Sequence, residues 1–156
     1  MPDDKKTRKI NRAIIHCSAS SFGTAEMIDR WHKARPGWKG IGYHYVVTNG
    51  VANKGQVYNP EFDGLVEAGR PVEQTGAHCK GHNADSIGIC LIGTNFFTGK
   101  QLYKALPSLL VELMQEHSIL PENIYCHRDF SNHKTCPNIE TSLIRDMAKK
   151  AAFLAL

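Results

Sequence analysis

No apolar run in the sequence approaches the ~20 residues needed to cross a bilayer as a helix, which excludes a helical membrane span. The basic stretch Lys5 to Lys9 is not followed by an apolar core, so a classical secretory signal is not expected. The five cysteines are odd in number and contain no Cys-x-x-Cys pair, which argues against a disulfide framework. They point instead to a reducing compartment or to a metal role for at least one thiol. No run of five Lys or Arg occurs, and the aromatics (8%) are not interleaved with basic residues, so nucleic acid is not an expected partner. The net charge of +4 suits an anionic partner but selects none. Repeats and low-complexity segments are also missing. A chain of 156 residues without them is expected to be one domain that buries roughly two-thirds of its unfolded surface.

What is present reads as alternating strands and helices. Residues 1–12 are polar and are expected to form a flexible N-terminal arm ahead of a domain over 13–156. Ala13 to Cys17 has strand composition, and Thr24 can cap a helix to about Lys33 with Met27, Ile28 and Trp31 inward. Tyr43 to Thr48 reads as a strand ending at the Asn49-Gly50 turn, and Ser86 to Ile92 as a strand buried on both faces. Thr98 and Gln101 form a capping-box pair before a stripe of Leu102, Leu106, Leu109, Leu110 and Leu113, with Pro107 expected to kink or split that helix. Ile124 to Cys126 is a short strand, and a last helix starts near Thr141 with Leu143, Ile144, Met147 and Ala151 inward. This order implies an α/β fold in a single domain, a central mixed β-sheet flanked by helices.

Three residues with metal-ligand chemistry stand at predicted strand ends or just beyond: His16, His127 and Cys136. Two imidazoles and a thiolate, with a fourth position open, make one type of catalytic zinc site. With eight His and five Cys in the chain, residue type alone favours three unrelated residues, His16 then being a hydrogen-bonded core histidine. Strand alternation places Cys17 on the face opposite His16, as a buried apolar residue. The same alternation groups Tyr43 with Tyr45 and sets His44 opposite, in a structural or supporting role.

Four ordered blocks carry a resemblance: Ile15-His-Cys-Ser-Ala-Ser20; Gly42-Tyr-His-Tyr-Val-Val47; Gly76-Ala-His-Cys-Lys-Gly-His-Asn83, running on to Gly93; and Cys126-His-Arg-Asp129 with Lys134-Thr-Cys-Pro137. Together they resemble the type-2 N-acetylmuramoyl-L-alanine amidase family, which includes short phage lysozymes and the peptidoglycan recognition proteins, over about residues 12–145. The resemblance implies that fold, one zinc per chain held by His16, His127 and Cys136, and catalytic roles for Tyr43 and Lys134. It implies hydrolysis of the amide between N-acetylmuramic acid and L-alanine, with peptidoglycan or muropeptides as substrate. His78 and Asn83 are expected to line the substrate groove. Trp38 and Arg70 are candidates for its walls, a core or surface role being equally open.

Alternatives accompany this reading. His133 competes with Cys136 as a ligand in the loop after His127, and thiolate is the better zinc donor. His32, His82 and His117 are expected to be exposed and without a role. Residues 51–63 read as an insertion relative to the short phage enzymes, able to extend a hairpin beside the groove. A non-catalytic peptidoglycan-binding module is the competing function. A regulatory partner such as a phage polymerase stays open, because some phage amidases of this type bind one. The implied setting is an endolysin kept in the host cytoplasm until released to the wall, a secreted effector or a cytoplasmic recycling amidase fitting equally, and acting as a monomer with no membrane partner.

Overall fold

The computed structural model describes residues 7–156. Five strands form one mixed sheet: β1 (Arg12–Cys17), β2 (Tyr45–Asn49), β3 (Asp63–Ala68), β4 (Ser86–Leu91) and β5 (Ile124–Cys126). Their order across the sheet is β3-β2-β4-β1-β5, with only β2 and β3 antiparallel. Helix α1 (Ala25–Lys33) covers one face, and α2 (Leu106–His117) with α3 (Thr141–Leu154) covers the other. Every residue of β4 is buried, as its unbroken apolar composition requires. Ile87, Ile89 and Leu91 face α2 and α3, while Cys90 joins Ile28, Ile41, Val46 and Ile92 beneath α1.

Local sequence signals set the helix ends. Thr24 Oγ1 accepts from the Met27 N–H at 3.0 Å, the cap its position suggests. Thr98 and Gln101 bond reciprocally, at 2.9 and 3.1 Å. Pro107 neither kinks nor splits a regular helix; it falls in the first turn of α2, preceded by a π-helical turn over Gln101–Ala105. The Leu106 N–H reaches back to the Gln101 carbonyl, five residues away, so the wider turn makes room for a ring that cannot donate.

Four expectations are corrected here. Residues 1–6 of the expected arm lie outside the described residues, and Arg12 already belongs to β1. Arg8 is anchored, donating to the carbonyls of Val72 (2.7 Å) and Ser86 (2.9 Å), so the chain is tied down well before residue 13. In α1 the inward residues are Ile28 and His32, with Trp31 at the rim. In α3 Ile144 and Ala148 are buried and Leu143 is exposed, because the sheet takes a narrower stripe than the apolar pattern offers. Residues 50–62 add no strand; they loop between β2 and β3, closed by Asn59 N–H donating to the Gly50 carbonyl at 2.8 Å.

Gln101 ties α2 to the sheet. Its fully buried amide donates to the carbonyls of Val47 (3.1 Å) and Ile92 (2.9 Å) while accepting from Thr98. Gln101→Leu strands buried polar groups on both sides of the junction. The expected loss is about 2 kcal/mol of unfolding free energy, measured by urea denaturation.

Candidate metal centre and groove

The register of two parallel strands builds the centre. Ile15 pairs with Cys126, so the next residues along each chain, His16 and His127, come out side by side at the carboxyl ends of β1 and β5. Their Nδ1 atoms are 3.2 Å apart and their ring centroids 4.7 Å. The loop after His127 folds back, held by the Arg128 N–H on the Cys136 carbonyl at 2.9 Å. It brings Cys136 Sγ to the same place, and the ligand atoms of His16, His127 and Cys136 all lie within 4.8 Å of one another. Ligands on a tetrahedral zinc with ~2.0–2.1 Å nitrogen bonds stand about 3.3 Å apart, so the imidazole spacing fits the ion. The donor set and its spacing therefore suit zinc. His133 is not part of this cluster; it sits exposed on the groove wall.

Electrostatics leave the imidazoles neutral. Burial pushes the His16 pKa well below the ordinary 6.5, aided by its neighbours His78 and His127. Burial, then the charge of Lys134, lowers that of His127. The Cys17 N–H donates to Cys136 Sγ at 3.1 Å. The neighbouring Cys136 side chain lowers the Cys17 thiol pKa to about 7, and Cys17 and then burial push that of Cys136 up. Cys17, the last residue of β1, is buried and outside the ligand cluster, as expected, but it lies beside Cys136 and lines the groove rather than turning away from it.

From this cluster a groove of ≈ 810 Å³ opens, walled by Arg35, Trp38, Lys80 and Lys134 among others. Among the described residues no Asp or Glu lines it. Tyr43 stands in its floor with its ring 5.0 Å from that of His16, and burial raises its phenol pKa well above 10, so the hydroxyl keeps its proton. Tyr43 precedes β2 and packs on the α1 side while Tyr45 packs on the other, so the expected pairing of the two tyrosines on one face does not occur. The irregular backbone at His44 shifts the alternation. His44 itself is buried, accepting from the Gly88 N–H and donating to the Gln74 carbonyl.

The remaining candidates divide. Trp38 lines the groove, its ring 4.9 Å from His32 and 5.0 Å below the Arg35 guanidinium. Asn83 borders the groove, yet its Oδ1 is taken by the N–H groups of His78 and Cys79. His78 is buried with both ring nitrogens bonded inside the protein, at His16 and Ser86. Arg70 lies outside the groove, bonded to the carbonyls of Ile41 and Thr75 behind it. His32 was expected on the surface; it is buried, accepts from the Gly42 N–H at 3.0 Å and lines the groove. Its i+4 spacing from Ile28 was the available signal. His82 is half-buried, stacked on Phe130 at 4.0 Å, and His117 is also half-buried.

The sequence matches the N-acetylmuramoyl-L-alanine amidase family over residues 6–139, most of the chain. The protein belongs to that family. This amidase is similar to an endolysin of Klebsiella phage KP32, 33% identical over 147 residues that cover 86% of this chain and 85% of the phage protein. Among solved structures it resembles the N-acetylmuramoyl-L-alanine amidase LysC from Clostridium intestinale, with a TM-score of 0.74 and 27% identity over 92% of this chain and 87% of that one. It also resembles the ectodomain complex of peptidoglycan recognition proteins LCa and LCx bound to tracheal cytotoxin (TM-score 0.65, 30% identity, 83% and 76% covered). The amidase is thus a peptidoglycan hydrolase by family.

Burial sets its acid limit. The pKa of His32 and of His44 falls from 6.5 to about 4, desolvation being the first cause for both, so the unfolded chain binds these protons more readily than the folded one. Stability is expected to be level, as far as these groups go, above pH 6.5 and to fall as pH drops from 6.5 toward 4. Denaturation midpoints across that range check this, and His44→Gln should flatten the slope.

Proposed function

We propose that this protein is a zinc-dependent N-acetylmuramoyl-L-alanine amidase, hydrolysing the amide between the lactyl group of N-acetylmuramic acid and the L-alanine of the stem peptide. The observation that carries the reading is the convergence of His16, His127 and Cys136 at a groove of ≈ 810 Å³. These residues would hold a zinc ion, which would supply Lewis acidity toward the amide carbonyl and make water available as a nucleophile near neutral pH. The groove lies at the carboxyl ends of the parallel strands, where open α/β sheets bind ligands.

The chain's own groups do the rest. Tyr43, held in its protonated form by burial, can donate to the substrate oxygen or orient the attacking water. Lys134 is exposed at the rim beside His127, where its ammonium can stabilise the negative charge that gathers on the carbonyl oxygen during attack. In the overall change, the C–N bond breaks, the lactyl carbonyl gains the hydroxyl and the alanine nitrogen gains the proton. Trp38 offers an apolar wall, and Arg35, Lys80 and Lys134 favour a stem peptide carrying free carboxylates. Among the described residues no helix is long and apolar enough to cross a membrane. Likeness to the phage endolysin supports the role of an endolysin that reaches the wall after release from the host cytoplasm.

Elemental analysis and muropeptide release test the reading together. The unmodified protein should hold one zinc per chain and free stem peptides, and Cys136→Ser should lose both. Bound zinc without cleavage would move the protein to the binding modules. Lys134→Ala is expected to keep its zinc and lower kcat by about 100-fold, the usual loss for one oxyanion donor. Charge reversal at the rim, Lys80→Glu, should raise KM with little change in kcat and weaken the dependence of binding on salt.

A further inference from the structure

Ser86 begins β4 fully buried, and its hydroxyl lies 2.7 Å from the His82 carbonyl oxygen, a group that only accepts. The single hydroxyl proton is committed there. Toward His78 Nε2, 3.2 Å away, Ser86 Oγ therefore accepts, and that nitrogen carries the ring proton. The neutral His78 ring then has its lone pair on Nδ1, 2.9 Å from His16 Nε2. His16 must donate there. Its proton sits on Nε2, and its Nδ1 is left as a lone pair facing His127 Nδ1.

We propose that His78, set by Ser86, is a positioning residue that fixes His16 in the tautomer presenting Nδ1 to the metal. This rests on the zinc reading given above. The backbone has been shaped around the His78 ring. A Cβ on Gly88, in the middle of the buried central strand, would lie 2.6 Å from His78 Cγ and Cδ2. One on Gly76 would lie 2.7 Å from Cδ2. Glycine weakens a strand interior and often marks a close approach; here the thing approached is this imidazole. Gly88 has no positive φ to explain it, so the space it leaves is its role. A ligand imidazole whose other nitrogen is held in this way is oriented and made more basic.

The test measures zinc affinity by competition with a chromophoric chelator, and ring protonation by nitrogen NMR of the metal-free protein. Both His16 and His78 should be protonated at Nε2. His78→Leu should weaken zinc binding by about 10- to 100-fold. His78→Asn, whose Oδ1 keeps an acceptor near the place of Nδ1, should recover most of that loss. Gly88→Ala should weaken zinc binding in the otherwise unmodified protein but not in a His78→Ala background, where no ring remains to be displaced. A His16 protonated at Nδ1 in the unmodified protein overturns the proposal without recourse to any variant. So does a folded His78→Leu protein with unchanged zinc affinity. An unmodified protein that takes up no zinc overturns the reading of the site itself.

Discussion

The pairing of Ile15 with Cys126 across β1 and β5 fixes the next residue on each strand, and those two residues are His16 and His127. β5 is only three residues long, so its register depends on burial rather than on its own ladder: Ile124 and Cys126 are both packed away from water among α3, α2 and β1. A slip of one residue would turn His127 to the opposite face and put Cys126 or Arg128 in its place. The core beneath α2 and α3 therefore holds His16 and His127 in place.

Bringing imidazoles into so closed a space has a direct consequence. Burial removes the solvation that an imidazolium needs, and clustering adds repulsion between any two that are charged. His16, His32, His44 and His78 are all driven toward the neutral form by burial first. Neutral rings require each N–H to find an acceptor and each lone pair a donor. The structure meets much of this with backbone groups: Gly42 donates to His32, Gly88 donates to His44, and Gln74 accepts from His44. The same desolvation that weakens the protein in acid keeps the imidazole lone pairs available at neutral pH.

The sheet and most helices were legible in the sequence because their signals are local. The unbroken apolar run of β4, the Thr24 cap and the reciprocal Thr98–Gln101 pair each depend on residues close in the chain. The candidate ligands could be named but not joined by composition, since Cys136 reaches His16 through a loop whose path no periodicity encodes. The departures at Tyr43 and Cys17 both occur where strand alternation meets the end of a strand: Tyr43 precedes β2 and Cys17 is the last residue of β1. His32 was missed for a different reason. Its i+4 spacing from Ile28 marks a buried face, but histidine is polar enough to be read as solvent-facing unless a donor such as the Gly42 N–H is known to await it.

The distribution of charge separates scaffold from site. Carboxylates are used within the framework: Asp29 accepts from the Ile41 N–H, Asp129 caps Cys126 just before His127, and Asp85 pairs with Arg12. None of them faces the groove, whose charged walls are Arg35, Lys80 and Lys134. A carboxylate in that groove would compete for the metal position and would repel an acidic peptide. Its exclusion serves both ends of the reaction, because a cationic rim draws in a substrate bearing carboxylates and remains to stabilise the negative charge formed on the carbonyl oxygen. Lys134 adds to burial in opposing protonation of His127, and for the proposed zinc ligand, which has to stay neutral, this opposition is an advantage.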